Sequence, residues 1–523
     1  MKKYVFALAA LALTLVACEK KEEVKDTTPA QLVSFQLLKA DNAFLDADYA
    51  PASISESMLI RVPGGGMDKT FTATITVGEF DKLSVNGKAV EGTKAQFEGK
   101  YAVDIEVVNS KSGKSAAYEV KIGKILQIVN KEVATFKAAG EKPQYTAGNY
   151  AAGTNPVTGD VYIAYVYGST KNIGVVKFDG TTVSQVGVEG IASGKVAVSK
   201  LCRVAFDSKG TPYVLYIGGE VSSRISLRKY DGVDWVLVAE GVGNSSPNTS
   251  YLPNVYFDAS DAPGIIYTGN TRATTDAYRN GVVVTNNGTE WTEGSISNLP
   301  RYDSGTNANV FYGSAFVYSG NKTYGFFTGN NMGIYVYELA GSSWATPLVS
   351  AFIPEGETTS LPGNLTPCVK ADGTILMFAA HWTAAVMQGY KLNGTTFEKY
   401  GNTIPVAIKS TGAVNEEILF GVNPKTDEVI AVKTDGSSDQ ISYTLLDENF
   451  QWSEFAFLGE VVKTPSEENP EETITSYSAP ASRSGAMLGF DAKGNAIVVY
   501  PDKDETTGFH IYSIGLEEDI LPE

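Results

Sequence analysis

One pattern recurs along most of the chain and limits the folds open to it. A strand-like run meets a tight Asp/Gly turn, a second run follows, and after a loop comes a third. An Asn/Asp-Gly turn then leads into a fourth run that often carries tryptophan. The clearest copy goes from Val204-Ala205-Phe206 through Asp207-Ser208-Lys209-Gly210 to Tyr213-Val214-Leu215-Tyr216, then Ile225 to Lys229, Asp231-Gly232 and Trp235. The first turn recurs near Gly159, Gly210, Asp261, Gly320, Gly373, Thr426 and Gly494, at spacings of 51 to 68 residues. The second recurs at Asp179-Gly180, Asp231-Gly232, Asn287-Gly288, Ala340-Gly341, Asn393-Gly394 and Glu448-Asn449. At one fixed offset after these come Val183, Trp235, Trp291, Trp344, Phe397 and Trp452. Four strands per unit of this length is a propeller blade, and seven units predict a seven-bladed β-propeller over residues 125–523. Aromatic residues at one fixed place in an outer strand point to packing between blades.

The last unit (Met487 to Phe490, Ala496 to Tyr500, Phe509 to Ile514) stops one strand short. Residues 125–129, or 132–137, can supply the missing strand from the other end of the repeat, which leaves no open edge. A chain of 523 residues is too long for one core, and a second pattern precedes the repeat. Over residues 32–124 apolar and polar residues alternate strictly. Phe71, Ala73, Ile75 and Val77 interleave with threonines, and Val103, Ile105 and Val107 with Asp104 and Glu106. Asn86-Gly87 and the Ser112-Gly113 region read as hairpin turns. This is the half-buried antiparallel signature and predicts a small immunoglobulin-like β-sandwich acting as a spacer. The whole chain is expected to be all-β.

The N-terminus reads as an export signal. Lys2 and Lys3 precede an apolar run from Val5 to Val16 that is too short to span a bilayer. It ends Leu15-Val16-Ala17-Cys18, which resembles the lipobox of bacterial lipoproteins and implies lipid attachment at Cys18. Glu19-Lys20-Lys21-Glu22-Glu23 then resembles the surface-export signal of Bacteroidetes-type lipoproteins. Residues 1–17 are thus a signal peptide and 18–31 a lipidated charged linker. The resemblance extends in architecture to surface lipoproteins of glycan-uptake systems. It implies an outer-membrane, lipid-anchored protein facing the cell exterior, touching the membrane through its lipid only.

Losing the two signal lysines moves the net charge from −17 to −19, which argues against nucleic-acid partners. Cys202 and Cys368 stand in apolar runs and are expected as buried free thiols. No Cys/His metal spacing exists, and no cofactor is expected. Asp502-x-Asp504-Glu505 has calcium-type oxygens without the rest of a ligand pattern.

In a propeller the first-to-second and third-to-fourth turns share one face, and here they are short and stereotyped. The loops of the other face are long and varied: 241–252, 269–280, 295–308, 350–363 and 461–481. Variable loops on a rigid frame are where function sits. Candidate ligand-binding residues there are Arg224, Tyr251, Arg272, Tyr278, Arg301, Tyr302, His381 and Trp382. Rings that stack and guanidinium groups that donate suit a flat polar ligand, and the expectation is an extracellular glycan. Two other readings stay open at this point. Paired loop carboxylates among Asp276, Asp303, Glu355, Glu357, Asp435, Asp439, Asp502 and Asp504 would make a propeller glycoside hydrolase or lyase. A surface-protein partner would make a protein–protein scaffold at the outer membrane. Thr285 to Trp291 comes near a sialidase box but lacks its aspartate. Of the two histidines, only His381 is expected on the loop-rich face, so no Ser-His-Asp triad is evident.

Overall fold

The computed structural model describes residues 26–63, 69–124, 127–137, 150–167, 172–192, 202–218, 224–242, 246–247, 253–273, 276–288, 290–296, 310–330, 333–339, 344, 346–357, 365–381, 384–406, 418–434, 439–465, 473–480, 482, 485–503 and 508–517. Every element within them is a strand, and no helix among the described residues is long and apolar enough to cross a membrane. The chain divides into two compact units, Met1–Gln127 with Leu516–Glu523, and Ile128–Gly515.

The first unit holds two sheets around one core. Thr70–Val77 lies between Leu32–Gln36 and Lys94–Glu98 in a three-stranded sheet. The second sheet has the order Ser57–Val62, Ser115–Lys124, Val103–Asn109, Asp81–Val85, Lys88–Ala89, and its first pair is parallel. Phe35, Phe71, Ile75 and Phe97 from one sheet pack with Ile60, Val103, Ile105 and Val120 from the other. The alternation read from the sequence follows from this: Asp104 and Glu106 face solvent between buried neighbours. Asn86 and Gly87 both take positive φ (49° and 73°), the requirement of a two-residue hairpin turn.

The second unit holds seven sheets in chain order, each antiparallel. Sheet 1 is Tyr150–Thr154, Val161–Tyr167, Asn172–Phe178 and Val183–Gln185. Sheet 2 is Cys202–Phe206, Pro212–Ile217, Ile225–Tyr230 and Trp235–Val242. Sheet 3 is Asn254–Phe257, Pro263–Ala273, Asp276–Asn286 and Trp291–Ser295, with Ser246–Pro247 added beside the second strand. Sheet 4 is Val310–Ser319, Lys322–Asn330, Gly333–Glu338 and Pro347–Phe352. Sheet 5 is Leu365–Val369, Ile375–His381, Val386–Asn393 and Thr396–Pro405. Sheet 6 is Ile418–Val422, Val429–Thr434, Ile441–Leu446 and Ala456–Phe457. Sheet 7 is Met487–Phe490, Ala496–Pro501 and Phe509–Leu516, and its fourth strand is Ile128–Phe136 from the start of the unit. A separate hairpin, Val461–Pro465 with Thr473–Tyr477, lies between sheets 6 and 7 in sequence.

The first strand of each sheet abuts the first strand of the next, and that of sheet 7 abuts that of sheet 1. Second strands are therefore enclosed by neighbouring sheets on both faces. Val161–Tyr167, Pro212–Ile217, Ile375–His381 and Ala496–Pro501 are buried at every residue, so they read as unbroken apolar runs rather than as alternation. The arrangement is β-propeller-like.

The outer tryptophans pack between sheets. Trp235 is buried and its Nε1–H donates to Val186 O of sheet 1's outer edge (2.8 Å). Trp291 donates to Val238 O of sheet 2 (3.4 Å), and Trp452 to Asn402 O of sheet 5 (3.0 Å). Trp344 is buried with its ring edge-on to Tyr256 of sheet 3. Cys202 and Cys368 are free and buried, each with its thiol against a carbonyl of a neighbouring sheet, Ala164 O and Phe420 O. Burial pushes both thiols up to about 12, far from a reactive thiolate.

Candidate functional site

The two ends of the sheets are built differently. At one end the seven turns from first to second strand each contain one residue with left-handed φ: Gly159, Gly210, Asp261, Gly320, Gly373, Asp427 and Gly494. The sequence places the sixth at Thr426; the turn puts it one residue later, because aspartate also tolerates this conformation. These turns and the first strands beside them are hydrogen-bonded from sheet to sheet. Asn155 Nδ2 donates to Gly210 O (2.9 Å), Ser319 Oγ to Gly373 O (2.8 Å), and Asn423 Nδ2 to Gly494 O (2.7 Å). Where the left-handed residue is aspartate, the donor is backbone: Ser208 N to Asp261 (3.0 Å) and Ala371 N to Asp427 (2.7 Å). Thr323 Oγ1 to Phe257 O (2.7 Å) links sheets 4 and 3, and Phe490 N to Thr154 Oγ1 (2.8 Å) links sheets 7 and 1. All seven junctions are joined by these hydrogen bonds, although the Tyr256 hydroxyl and Trp344 Nε1 at this end have no hydrogen-bond partner.

The opposite end holds the second-to-third loops and the connections between sheets. There, the buried side-chain polar atoms without a hydrogen-bond partner include Arg224 Nη1, Thr328 Oγ1, Thr434 Oγ1, Ser442 Oγ and the Tyr500 hydroxyl. Arg224 stands at the entry to the third strand of sheet 2, where its carbonyl accepts from Gly218 N (2.8 Å) and pins the base of the loop. The second-to-third hairpin of sheet 3 extends farthest. Its strands are 11 residues each, against 6 for the matching pair of sheet 2. Arg272 and Tyr278 lie in this extension, opposite Ala277 and Thr271.

His381 closes the second strand of sheet 5 and is buried, 6% exposed. Its Nε2 shares a hydrogen bond with the Tyr390 hydroxyl (2.7 Å), and its Nδ1 faces Glu357 Oε1 at 3.9 Å. Glu357 also accepts from Ala384 N (3.2 Å), which ties the segment after sheet 4 to the loop after His381. Burial lowers the His381 pKa, with Glu357 opposing, and burial raises that of Tyr390. The neutral tautomer with Nδ1–H toward Glu357 lets Nε2 accept from Tyr390 O–H.

The expectation that only His381 occupies this end is corrected by the register of sheet 7. His510 pairs with Tyr500 beside the same kind of loop, with Nδ1 on Glu132 Oε1 (2.5 Å) and Nε2 toward Asp502 Oδ2 (3.4 Å). Glu132 comes from the fourth strand of sheet 7, 378 residues away, so only the pairing of the first and last strands of the unit brings the two together. Glu357 was named in the sequence only as one of several loop acids, and Tyr390, Glu132 and this role of His510 were not legible there, since no spacing signals them.

Cys18, Tyr251, Arg301, Tyr302 and Trp382 lie outside the described residues. Of the loop acids, Glu355 pairs with Lys399 (3.0 Å) and Asp439 with Lys503 (2.6 Å), while Glu357 and Asp502 face histidines. Asp303, Asp435 and Asp504 fall outside the described residues. Among the described residues no group of three His, Cys, Asp or Glu side chains could hold a metal ion.

No family model matches the chain. No curated protein matches it. Several solved structures are similar at low identity. The BP39L lectin from Burkholderia pseudomallei is 11% identical, with 72% of this chain and 100% of that chain covered at a TM-score of 0.45. AofleA from Arthrobotrys oligospora is 10% identical, with 64% and 90% covered at 0.38. A protein of unknown function from Dyadobacter fermentans is 10% identical, with 75% and 99% covered at 0.40.

Proposed function

We propose that the seven-sheet unit is a closed seven-bladed propeller that captures an extracellular glycan on its loop-rich face. In the same reading, a lipid on Cys18 holds the chain at the outer surface of the outer membrane, with the immunoglobulin-like sandwich of residues 32–124 as spacer. The observation that supports capture is the contrast between the two ends of the sheets. One end ties neighbouring sheets together by hydrogen bonds at all seven junctions, through Asn155, Asp261, Thr323, Ser319, Asp427, Asn423, Thr154 and their partners. The other keeps donors and hydroxyls without protein partners at Arg224, Thr328, Thr434 and Ser442. Unpaired buried polar groups are costly, and Arg224 and Thr434, which are only partly buried, are the ones a hydroxyl-rich ligand can reach.

Capture without cleavage is the favoured form. Cleavage by two carboxylates needs them facing each other across a bond. Glu355 and Asp439 are instead held by lysines, and His381 and His510 are buried among their own partners. A glycan array probed with the full chain tests the reading. Binding to a defined set of glycans, weakened by alanine at Tyr251, Tyr302 or Trp382, is expected. An array without any bound glycan, together with specific capture of a surface protein, would favour the scaffold instead.

A further inference from the structure

We infer that the captured glycan carries a negative charge, a carboxylate or a sulfate ester, and that Arg224 is the residue that binds it. This rests on the glycan-capture reading above and specifies its ligand class. The chain has eight arginines, and the side chains of four are described. Arg228 is fully engaged within sheet 2, donating from Nε to the Tyr216 hydroxyl (3.2 Å) and from Nη1 to Trp235 O (3.1 Å). Arg61 and Arg203 also have partners. Arg224 alone of the four makes no side-chain hydrogen bond or ion pair among the described residues, and its Nη1 is shut off from solvent.

A guanidinium stays charged at any physiological pH and presents five N–H donors in a planar fork. Holding such a group half-buried with no partner works against stability, since desolvated charge is costly unless paired. Acids outnumber bases in this chain, 59 to 42, so an internal carboxylate partner would have been easy to provide. The backbone that carries the group is also fixed. Gly218 N donates to Arg224 O (2.8 Å), and Ser226 Oγ donates to Gly218 O (2.6 Å), which fixes the start of the third strand. Arg272 and Arg279 belong to the extended part of the neighbouring sheet 3 hairpin at this same end. A neutral sugar would leave the guanidinium without a counter-charge; a uronate carboxylate or a sulfate supplies one, with oxygens that accept from its N–H donors.

The test uses the full chain and four polymers: polygalacturonate, its fully methyl-esterified form, heparin and polyglutamate. The expected result is binding to polygalacturonate or heparin that weakens with added salt, with little binding to the esterified polymer. Arg224→Gln should reduce that affinity roughly tenfold to a hundredfold and flatten its salt dependence, while Arg224→Lys falls between. The melting temperature of Arg224→Gln should equal or exceed that of the parent chain, because an unpaired charge has been removed. A lower melting temperature for that variant would show that Arg224 has a structural partner and overturn the inference. Equal binding of charged and esterified polymers, unchanged by Arg224→Gln, would overturn the charge claim and leave glycan capture standing. Binding to polyglutamate with none to any polysaccharide would overturn both.

Discussion

His381 shows how a residue singled out by rarity acquires its meaning from partners that no sequence spacing marks. Its ring sits between Tyr390 and Glu357, one on the next strand and one in the segment before the sheet. Because burial lowers its folded-state pKa while the unfolded chain keeps the ordinary value of 6.5, the unfolded state takes up the proton first. Stability from this site is therefore present above pH 6.5 and declines as pH falls through that value toward the folded pKa. His381→Gln should lie below the parent chain at pH 7.5, and the gap between the two melting temperatures should narrow by pH 5. Parallel melting curves across that range would contradict the arrangement. Trp235 is legible from sequence alone, since its fixed offset from Asp231-Gly232 marks a position between sheets, and it is 4% exposed. Trp235→Ala should cost about 3–5 kcal/mol in chemical denaturation. The pairing of His510 with Glu132 and Asp502 has no comparable signal, because one partner arrives only through closure of the ends.

The repeat unit was legible because its turns demand particular residues. A left-handed residue recurs in all seven first turns, as glycine in five and aspartate in two, and the two aspartates are the ones that accept from a neighbouring backbone N–H. That rule explains why Asp427 rather than Thr426 is the equivalent position, a distinction that glycine counting misses. The turns also permit a matched comparison. Gly159 and Gly320 have similar φ (74° and 62°), but a Cβ on Gly159 would lie 2.6 Å from Ala492 Cα in sheet 7, whereas Gly320 has nothing within 4 Å. Both alanine variants carry the same backbone strain, about 1–2 kcal/mol. Gly159→Ala should lose distinctly more than Gly320→Ala, and equal losses would mean that sheets 1 and 7 do not meet as described. The closing strand is legible in kind, as residues 125–129 or 132–137, and the structure uses Ile128–Phe136, which draws on both. Its polar residues alternate weakly, so its limits could not be read from periodicity.

At the scale of the whole molecule, the division into a small two-sheet unit and a seven-sheet unit follows from two different apolar patterns. Strict alternation in residues 70–77 reflects a sheet with one wet face, and unbroken runs such as Val161–Tyr167 reflect strands covered on both. The face proposed for binding was legible only as a contrast between short and long connections. Loop sequences carry no period, and many candidate residues, Tyr302 and Trp382 among them, lie outside the described residues. Anchoring has its own check. Cys18→Ala should release the protein from the membrane fraction, because acyl chains would be its means of attachment. Retention of that variant in the membrane would refute lipid attachment at this cysteine.

In the proposed reading, ligand meets the loop-rich end of the sheets and not the turn end. Hydrogen exchange of the full chain, with and without the tightest glycan found on an array, separates the two ends. The expected result is new protection in the segments around Arg224, 269–280 and 350–363, with exchange unchanged in the turns at 155–160, 207–211 and 491–495. Protection confined to those turns, or to residues 32–124, would contradict it.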